Sequence, residues 1–236
     1  MTGFLASVST LEEARIALRG GADIIDLKAP ALGALGAVSP AVQRSVVALV
    51  GARRCTSATT GDLPMQPDVI RHAIARTAGS GVDLVKVGLP ALERHRDCLR
   101  AVADSAAAGI RVVAVLFAEL KPPLWLVDEL AQAGCHGVML DTGNKADGGL
   151  RRYLPAKRLE AFLQRARRLH LLNALAGSLQ ADDIAALLPL APDYLGFRGA
   201  LCDAGVRTAG LSAQALARIR AAIPAAADAA LSQARG

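Results

Sequence analysis

The sequence predicts an α/β fold, a single (β/α)8 TIM barrel occupying residues 1–236. Three observations lead there. Eight short apolar runs rich in branched side chains recur along the chain, helical start and stop signals fall between them, and the runs stay apolar almost throughout instead of alternating with polar residues. Continuous apolarity means burial on both faces, which a parallel sheet wrapped in helices provides and a half-solvated antiparallel sheet does not. A length of 236 residues suits one such barrel. No Pro/Ser/Gly-rich linker or shift in composition marks a second domain.

The runs are Phe4–Val8, Ala22–Lys28, Cys55–Ala58, Val82–Gly88, Ile110–Phe117, Gly137–Asp141, Leu171–Ala176 and Tyr194–Phe197. After the first, Thr10 and Glu13 form a T-x-x-E capping box, Ala14, Ala17 and Leu18 share one face, and Gly20-Gly21 supplies a stop. That completes one β/α unit. Pro67–Gly79, Ala91–Ala108, Pro123–Ala133, Pro155–Leu169 and Asp182–Leu188 fill equivalent positions, and Leu216, Ile219 and Ile223 line a terminal helix after Ser212. Helical stretches therefore alternate with the eight strands, the pattern of a (β/α)8 repeat. The rival arrangement is an open doubly wound sheet, but no G-x-G-x-x-G follows an early strand.

Composition narrows the function. No stretch approaches the roughly 18 apolar residues of a membrane span, and Met1 to Ser9 lacks the basic and apolar regions of a signal peptide, so a soluble, cytoplasmic protein with no membrane partner is expected. The four cysteines, Cys55, Cys98, Cys135 and Cys202, are dispersed without a C-x-x-C pair and read as free thiols rather than a disulfide or zinc framework. A formal charge of +6 would suit nucleic acid, but aromatics make up only 3% of the chain and the arginines are spread along helical stretches, so no nucleic-acid partner is expected. Within the basic residues, 22 are arginine and five are lysine: Lys28, Lys86, Lys121, Lys145 and Lys157. Arginine stays protonated, whereas a lysine amine in a suitable site loses its proton and attacks a carbonyl.

Two of the five lysines end apolar runs, and in a closed barrel catalytic groups come from the C-terminal ends of strands. The second strand ends Ile24-Ile25-Asp26-Leu27-Lys28, so Asp26 and Lys28 point to the same side, which in a barrel is the interior. The fourth ends Leu84-Val85-Lys86-Val87-Gly88; the sixth ends Met139-Leu140-Asp141-Thr142, with Lys145 shortly after. One Asp–Lys pair can be a structural ion pair. The same feature at three strand ends favours catalysis, and two lysines in one cavity disfavour each other's protonation, which favours a nucleophilic amine. No strand end offers a His/Asp/Glu or Cys ligand set, so neither a metal nor another cofactor is expected, and His72, His95, His136 and His170 are read as surface or core residues.

The seventh strand runs into Gly177-Ser178 and the eighth into Arg198-Gly199. Glycine-rich loops after these two strands are where barrels hold phosphate on backbone N–H groups, with Arg198 as an expected charge-assisted clamp. The partner expected is a small phosphorylated substrate.

The segments GGADIIDLKAP (Gly20–Pro30), LGALG (Leu32–Gly36), SATTGDLP (Ser57–Pro64), DLVKVGL (Asp83–Leu89), MLDTGNKADG (Met139–Gly148), ALAGSL (Ala174–Leu179) and GFRGALC (Gly196–Cys202) resemble the (5-formylfuran-3-yl)methyl phosphate synthases of methanofuran biosynthesis. The resemblance runs through nearly the whole chain in order. It implies condensation of two molecules of glyceraldehyde 3-phosphate, a small phosphorylated aldehyde, into a phosphorylated furan aldehyde with loss of phosphate and water, by metal-free lysine chemistry. It further implies that Lys28 is the Schiff-base lysine and Lys86 the proton-transferring lysine, with Asp26, Asp141 and Lys145 as supporting charges. The segment Leu116–Pro123 departs from the small Ala/Tyr-rich loop of the family's archaeal members. Two alternatives stand beside this reading: a class I aldolase or other phosphate-sugar barrel enzyme, and a non-catalytic phosphometabolite-binding protein. The decarboxylase variant of the first carries D-x-K-x-x-D, and here Ala31 stands at the final position. A homo-oligomer is compatible with either view.

Overall fold

The computed structural model describes residues 1–92, 96–144 and 148–224. Eight parallel strands close on themselves in sequence order: β1 (Gly3–Val8), β2 (Ile24–Leu27), β3 (Cys55–Thr59), β4 (Leu84–Gly88), β5 (Val112–Phe117), β6 (Gly137–Asp141), β7 (Leu172–Leu175) and β8 (Tyr194–Phe197). The first and last strands pair in parallel, Leu5 opposite Gly196, which completes the ring. The helices are α1 (Leu11–Arg19), α2 (Pro40–Val50), α3 (Pro67–Ala78), α4 (Cys98–Ala107), α5 (Trp125–Gln132), the single-turn α6 (Leu150–Tyr153), α7 (Ala156–Arg168), α8 (Ala181–Leu187) and α9 (Ala213–Ala222).

The expected helix from Ala91 is shorter in the structure because Ala91 adopts a left-handed φ of 51°, which a helix does not tolerate, and α4 begins only at Cys98. Its N-terminal part includes residues outside the described set. The helix expected from Pro155 is preceded by α6, and Pro155, extended at ψ 157°, separates the two. For α1 the capping box closes by half: the Thr10 hydroxyl accepts from the Glu13 N–H at 3.1 Å, but the Glu13 carboxylate turns back to the N–H of Ser9 instead of that of Thr10. That displaced carboxylate has another partner, described below.

Alternation along each strand divides the core in two. Residues such as Phe4, Ile25, Val85 and Leu140 face outward and pack against the helices in one large cluster. Leu5, Ile24, Cys55, Leu84, Val113, Val115, Met139, Ala174 and Tyr194 face inward and fill the barrel itself. Two residues beyond the inward-facing apolar side chains, the same faces carry Ser7, Asp26, Ser57, Lys86 and Asp141. The interior is thus apolar toward the N-terminal end and charged at the C-terminal mouth. Leu35, from the β2–α2 loop, belongs to the inner cluster and is fully buried, so this loop folds over the mouth. Gly88 makes room for it, since a Cβ there would meet Leu35 Cδ1 at 2.4 Å. The four cysteines are buried thiols outside any disulfide, and burial pushes the Cys135 thiol up to about 12. Among the described residues, no helix is long and apolar enough to cross a membrane.

Candidate active site

Register builds the centre of the mouth. Asp26 on β2 lies beside Ser7 of β1 and Ser57 of β3. Both hydroxyls donate to its carboxylate, Ser7 Oγ at 2.8 Å and Ser57 Oγ at 2.6 Å, and Lys86 Nζ from β4 lies 3.0 Å from the oxygen that Ser57 uses. The residue is completely buried. Burial alone would raise its pKa, but the charges of Lys86 and then Lys28, with the hydrogen bond from Ser57, outweigh burial and hold the carboxyl below its ordinary value. Asp26 is therefore a fixed anion with Lys86 as its direct counterion.

Lys28 pairs elsewhere. Its Nζ donates to Asp141 Oδ2 at 3.2 Å, while Asp141 Oδ1 accepts the N–H of Thr142 at 2.7 Å. Asp26 and Lys28, adjacent on one strand face, thus form two crossed pairs with residues of β4 and β6. Lys28 and Lys86 are 6% and 2% exposed, buried enough that neither amine would be tolerated without its carboxylate. Both line a cavity of about 300 Å³ opening at the mouth, walled also by Met139, Ala176, Gly177, Ser178 and residues after β8. A volume of this size suits a small metabolite.

Of the residues expected at the phosphate end, Gly177, Ser178 and Gly199 border this cavity. Gly177 takes φ +105°, and a Cβ there would meet Thr142 Cγ2 at 2.9 Å, so the turn admits only glycine. Their backbone N–H groups donate to no protein acceptor among the described residues.

Arg198 requires a correction. It reaches the cavity, but its guanidinium is already committed: Nε donates to Arg207 O at 2.8 Å, Nη1 to Ser7 O at 3.2 Å and Glu13 Oε2 at 2.6 Å, and Nη2 to Glu13 Oε1 at 3.1 Å and Ala209 O at 2.9 Å. Five donors have five acceptors. The side chain buckles the β8 loop to α1 through a bidentate ion pair and has no donor left for a substrate phosphate. For Glu13, burial raises the pKa, but the Arg198 and Ser9 hydrogen bonds outweigh it and the carboxyl lies below its ordinary value.

Lys145 falls outside the described residues. The loop that leads to it is anchored by Glu119, whose Oε1 accepts the N–H groups of Gly143 at 2.6 Å and Asn144 at 2.9 Å. In the divergent segment after β5, Glu119 therefore turns toward the β6 loop, while Lys121 is exposed. His136 stands just before β6, at the opposite end of the barrel from the mouth, and His72 and His170 are exposed. Sequence reasoning missed Ser7, Ser57 and Arg207, the last of which also lines the cavity. The two serines had a signal, a hydroxyl on the inward face of an apolar strand. Arg207, in an irregular loop, had none.

Fold and site together define a (β/α)8 barrel whose C-terminal mouth carries two buried lysine–carboxylate pairs beside glycine-rich turns. Residues 4–220 match the family described as 4-HFC-P synthase. A (5-formylfuran-3-yl)methyl phosphate synthase of Methanosarcina mazei is 40% identical over 84% of this chain and 89% of its own length. A protein of Methylorubrum extorquens, provisionally assigned the same synthase name, is 43% identical over 92% of this chain and 91% of its own. The chain belongs to the 4-HFC-P synthase family. Among solved structures, phosphoribosyl anthranilate isomerase from Thermus thermophilus superposes with a TM-score of 0.67 over 94% of this chain and 98% of that chain; at 17% identity, this likeness shows the fold alone.

Proposed function

We propose that this protein condenses two molecules of glyceraldehyde 3-phosphate into (5-formylfuran-3-yl)methyl phosphate, with release of one phosphate and two molecules of water. The observation that carries the reading is the pair of buried lysines, each on its own carboxylate, facing one cavity in a chain of this family.

Lys28 is the amine that attacks a triose phosphate carbonyl. Its carboxylate, Asp141, lies at the cavity wall 3.2 Å from the amine, so a proton passed from the amine has a nearby base. Loss of water gives an iminium, whose electron demand makes the adjacent carbon acidic and yields an enamine that adds to the second aldehyde. Lys86, held by Asp26 and its two serines, moves protons for the isomerisation, addition and elimination steps. The amides of Gly177, Ser178 and Gly199 receive a phosphate. Lys145 keeps the supporting role that the family resemblance implies for it.

The test supplies glyceraldehyde 3-phosphate as sole substrate and follows inorganic phosphate and furan absorbance together. Equal release of phosphate and furan aldehyde is expected. Reversible aldol products without phosphate release would mean an aldolase, and absence of turnover would defeat the catalytic reading.

A further inference from the structure

Two arginines reach the cavity and they differ in what remains available. Arg198 has all five donors engaged by the protein, whereas Arg207 makes one hydrogen bond among the described residues, from Nη2 to Gly33 O at 3.0 Å, and no ion pair. Its segment is not loose. Cys202 and Leu211 form an antiparallel bridge, Asp203 N donates to Gly210 O at 3.1 Å, and the Arg207 carbonyl accepts from Arg198 Nε at 2.8 Å. The nearby carboxylates have other work: Asp62 accepts the Leu35 N–H, and Asp141 holds Lys28. Among the described residues of the mouth, Lys28 and Lys86 are paired with Asp141 and Asp26, and Arg198 with Glu13, whereas Arg207 lies near Asp62 and Asp141 but is bonded to neither.

We infer that Arg207 is the side chain that binds the substrate's phosphate, a forked cation closing over an anion whose other side rests on the amides of Gly177, Ser178 and Gly199. Four unused guanidinium N–H groups in a fixed plane match two phosphate oxygens, and the contact with Gly33 ties the clamp to the loop that folds over the mouth. Arg198 acts through it, as a positioning residue that fixes the backbone of Arg207. This assignment rests on the proposed reading of the cavity as a triose phosphate site but concerns binding alone, so the two separate experimentally.

The probe is inorganic phosphate, titrated calorimetrically into the full-length wild-type protein, Arg207→Gln and Arg207→Lys, with near-ultraviolet dichroism to verify folding. Wild type should bind phosphate, Arg207→Gln should bind at least tenfold more weakly, and Arg207→Lys should fall between because it keeps charge but loses the fork. With glyceraldehyde 3-phosphate, Arg207→Gln should raise KM more than it lowers kcat. Folded Arg207→Gln with wild-type phosphate affinity overturns the assignment, as does a wild-type protein that fails to bind phosphate at tens of millimolar. Should Arg207→Gln fail to fold, the lysine variant decides, since unchanged affinity there overturns the fork. Phosphate binding lost with Arg207 in a protein that leaves glyceraldehyde 3-phosphate unconverted supports the clamp and defeats the reaction.

Discussion

Replacing Glu13 with glutamine separates a structural Arg198 from a substrate-binding one. The Arg198 and Glu13 side chains are only 7% and 9% exposed, so the arginine charge relies on this carboxylate rather than on water. Removing one member of a buried pair costs about 3–5 kcal/mol, because the remaining charge stays desolvated. Glutamine would also present N–H groups to a guanidinium that has only donors. An unfolding entropy of about 2.1 cal/mol/K per residue gives roughly 0.5 kcal/mol/K for a chain of this length, so the expected fall in Tm is about 6–10 °C. Scanning calorimetry reads it directly. The double variant Glu13→Leu with Arg198→Met, which removes both charges, should recover part of the loss, so the two changes will not add. The pH dependence has a definite sign. With the folded Glu13 carboxyl below its ordinary value, its contribution is complete above the normal glutamate range and disappears as pH falls through the lowered value. An unshifted Tm for Glu13→Gln together with a raised KM for triose phosphate would refute the buckle and return Arg198 to the substrate.

Other consequences test the chemistry itself. Borohydride in the presence of glyceraldehyde 3-phosphate should inactivate the protein and add one reduced substrate to the Lys28 peptide; Lys28→Arg should abolish both trapping and turnover while keeping the charge, and peptide mapping that found the label on Lys86 would exchange their roles. Asp26→Asn should lower kcat by about 10²-fold or more with little change in KM, since it strips Lys86 of its counterion without touching the phosphate end; steady-state kinetics showing only a KM effect would place Asp26 in binding instead. Turnover should survive EDTA, and activity lost to the chelator and restored by one divalent ion would overturn the metal-free reading.

The strands and the charged mouth were legible because both depend on local rules. Apolar runs fixed the strands, the two-residue alternation placed Asp26 and Lys28 on an inward face, and Lys86 and Asp141 stood out as charges at strand ends. Their pairing was not legible, since adjacency along β2 says nothing about which neighbouring strand supplies each partner; register decides that, setting Ser7, Asp26 and Ser57 side by side. Arg198 was misjudged for a related reason. A glycine-flanked arginine after the eighth strand has the sequence appearance of an anion clamp, and only the closure of the ring reveals Glu13, Ser7 O and Ala209 O around it. Ala91 escaped notice because alanine gives no warning of a left-handed turn.

The same buckle ties the first β/α unit to the last strand of the ring. Arg198 and Glu13 are 185 positions apart, among the longest separations the polypeptide permits. Contacts of such span form late, after shorter loops have closed, and the amino-terminal units leave the ribosome first. β8 is the neighbour of both β1 and β7, so without it the ring has two unpaired edges and the charged mouth would stand open to water. Docking of β8 against both neighbours completes the wall. Truncation ahead of residue 198 should therefore abolish the proposed turnover, because the wall of the ring would lack β8 and the Arg198–Glu13 pair.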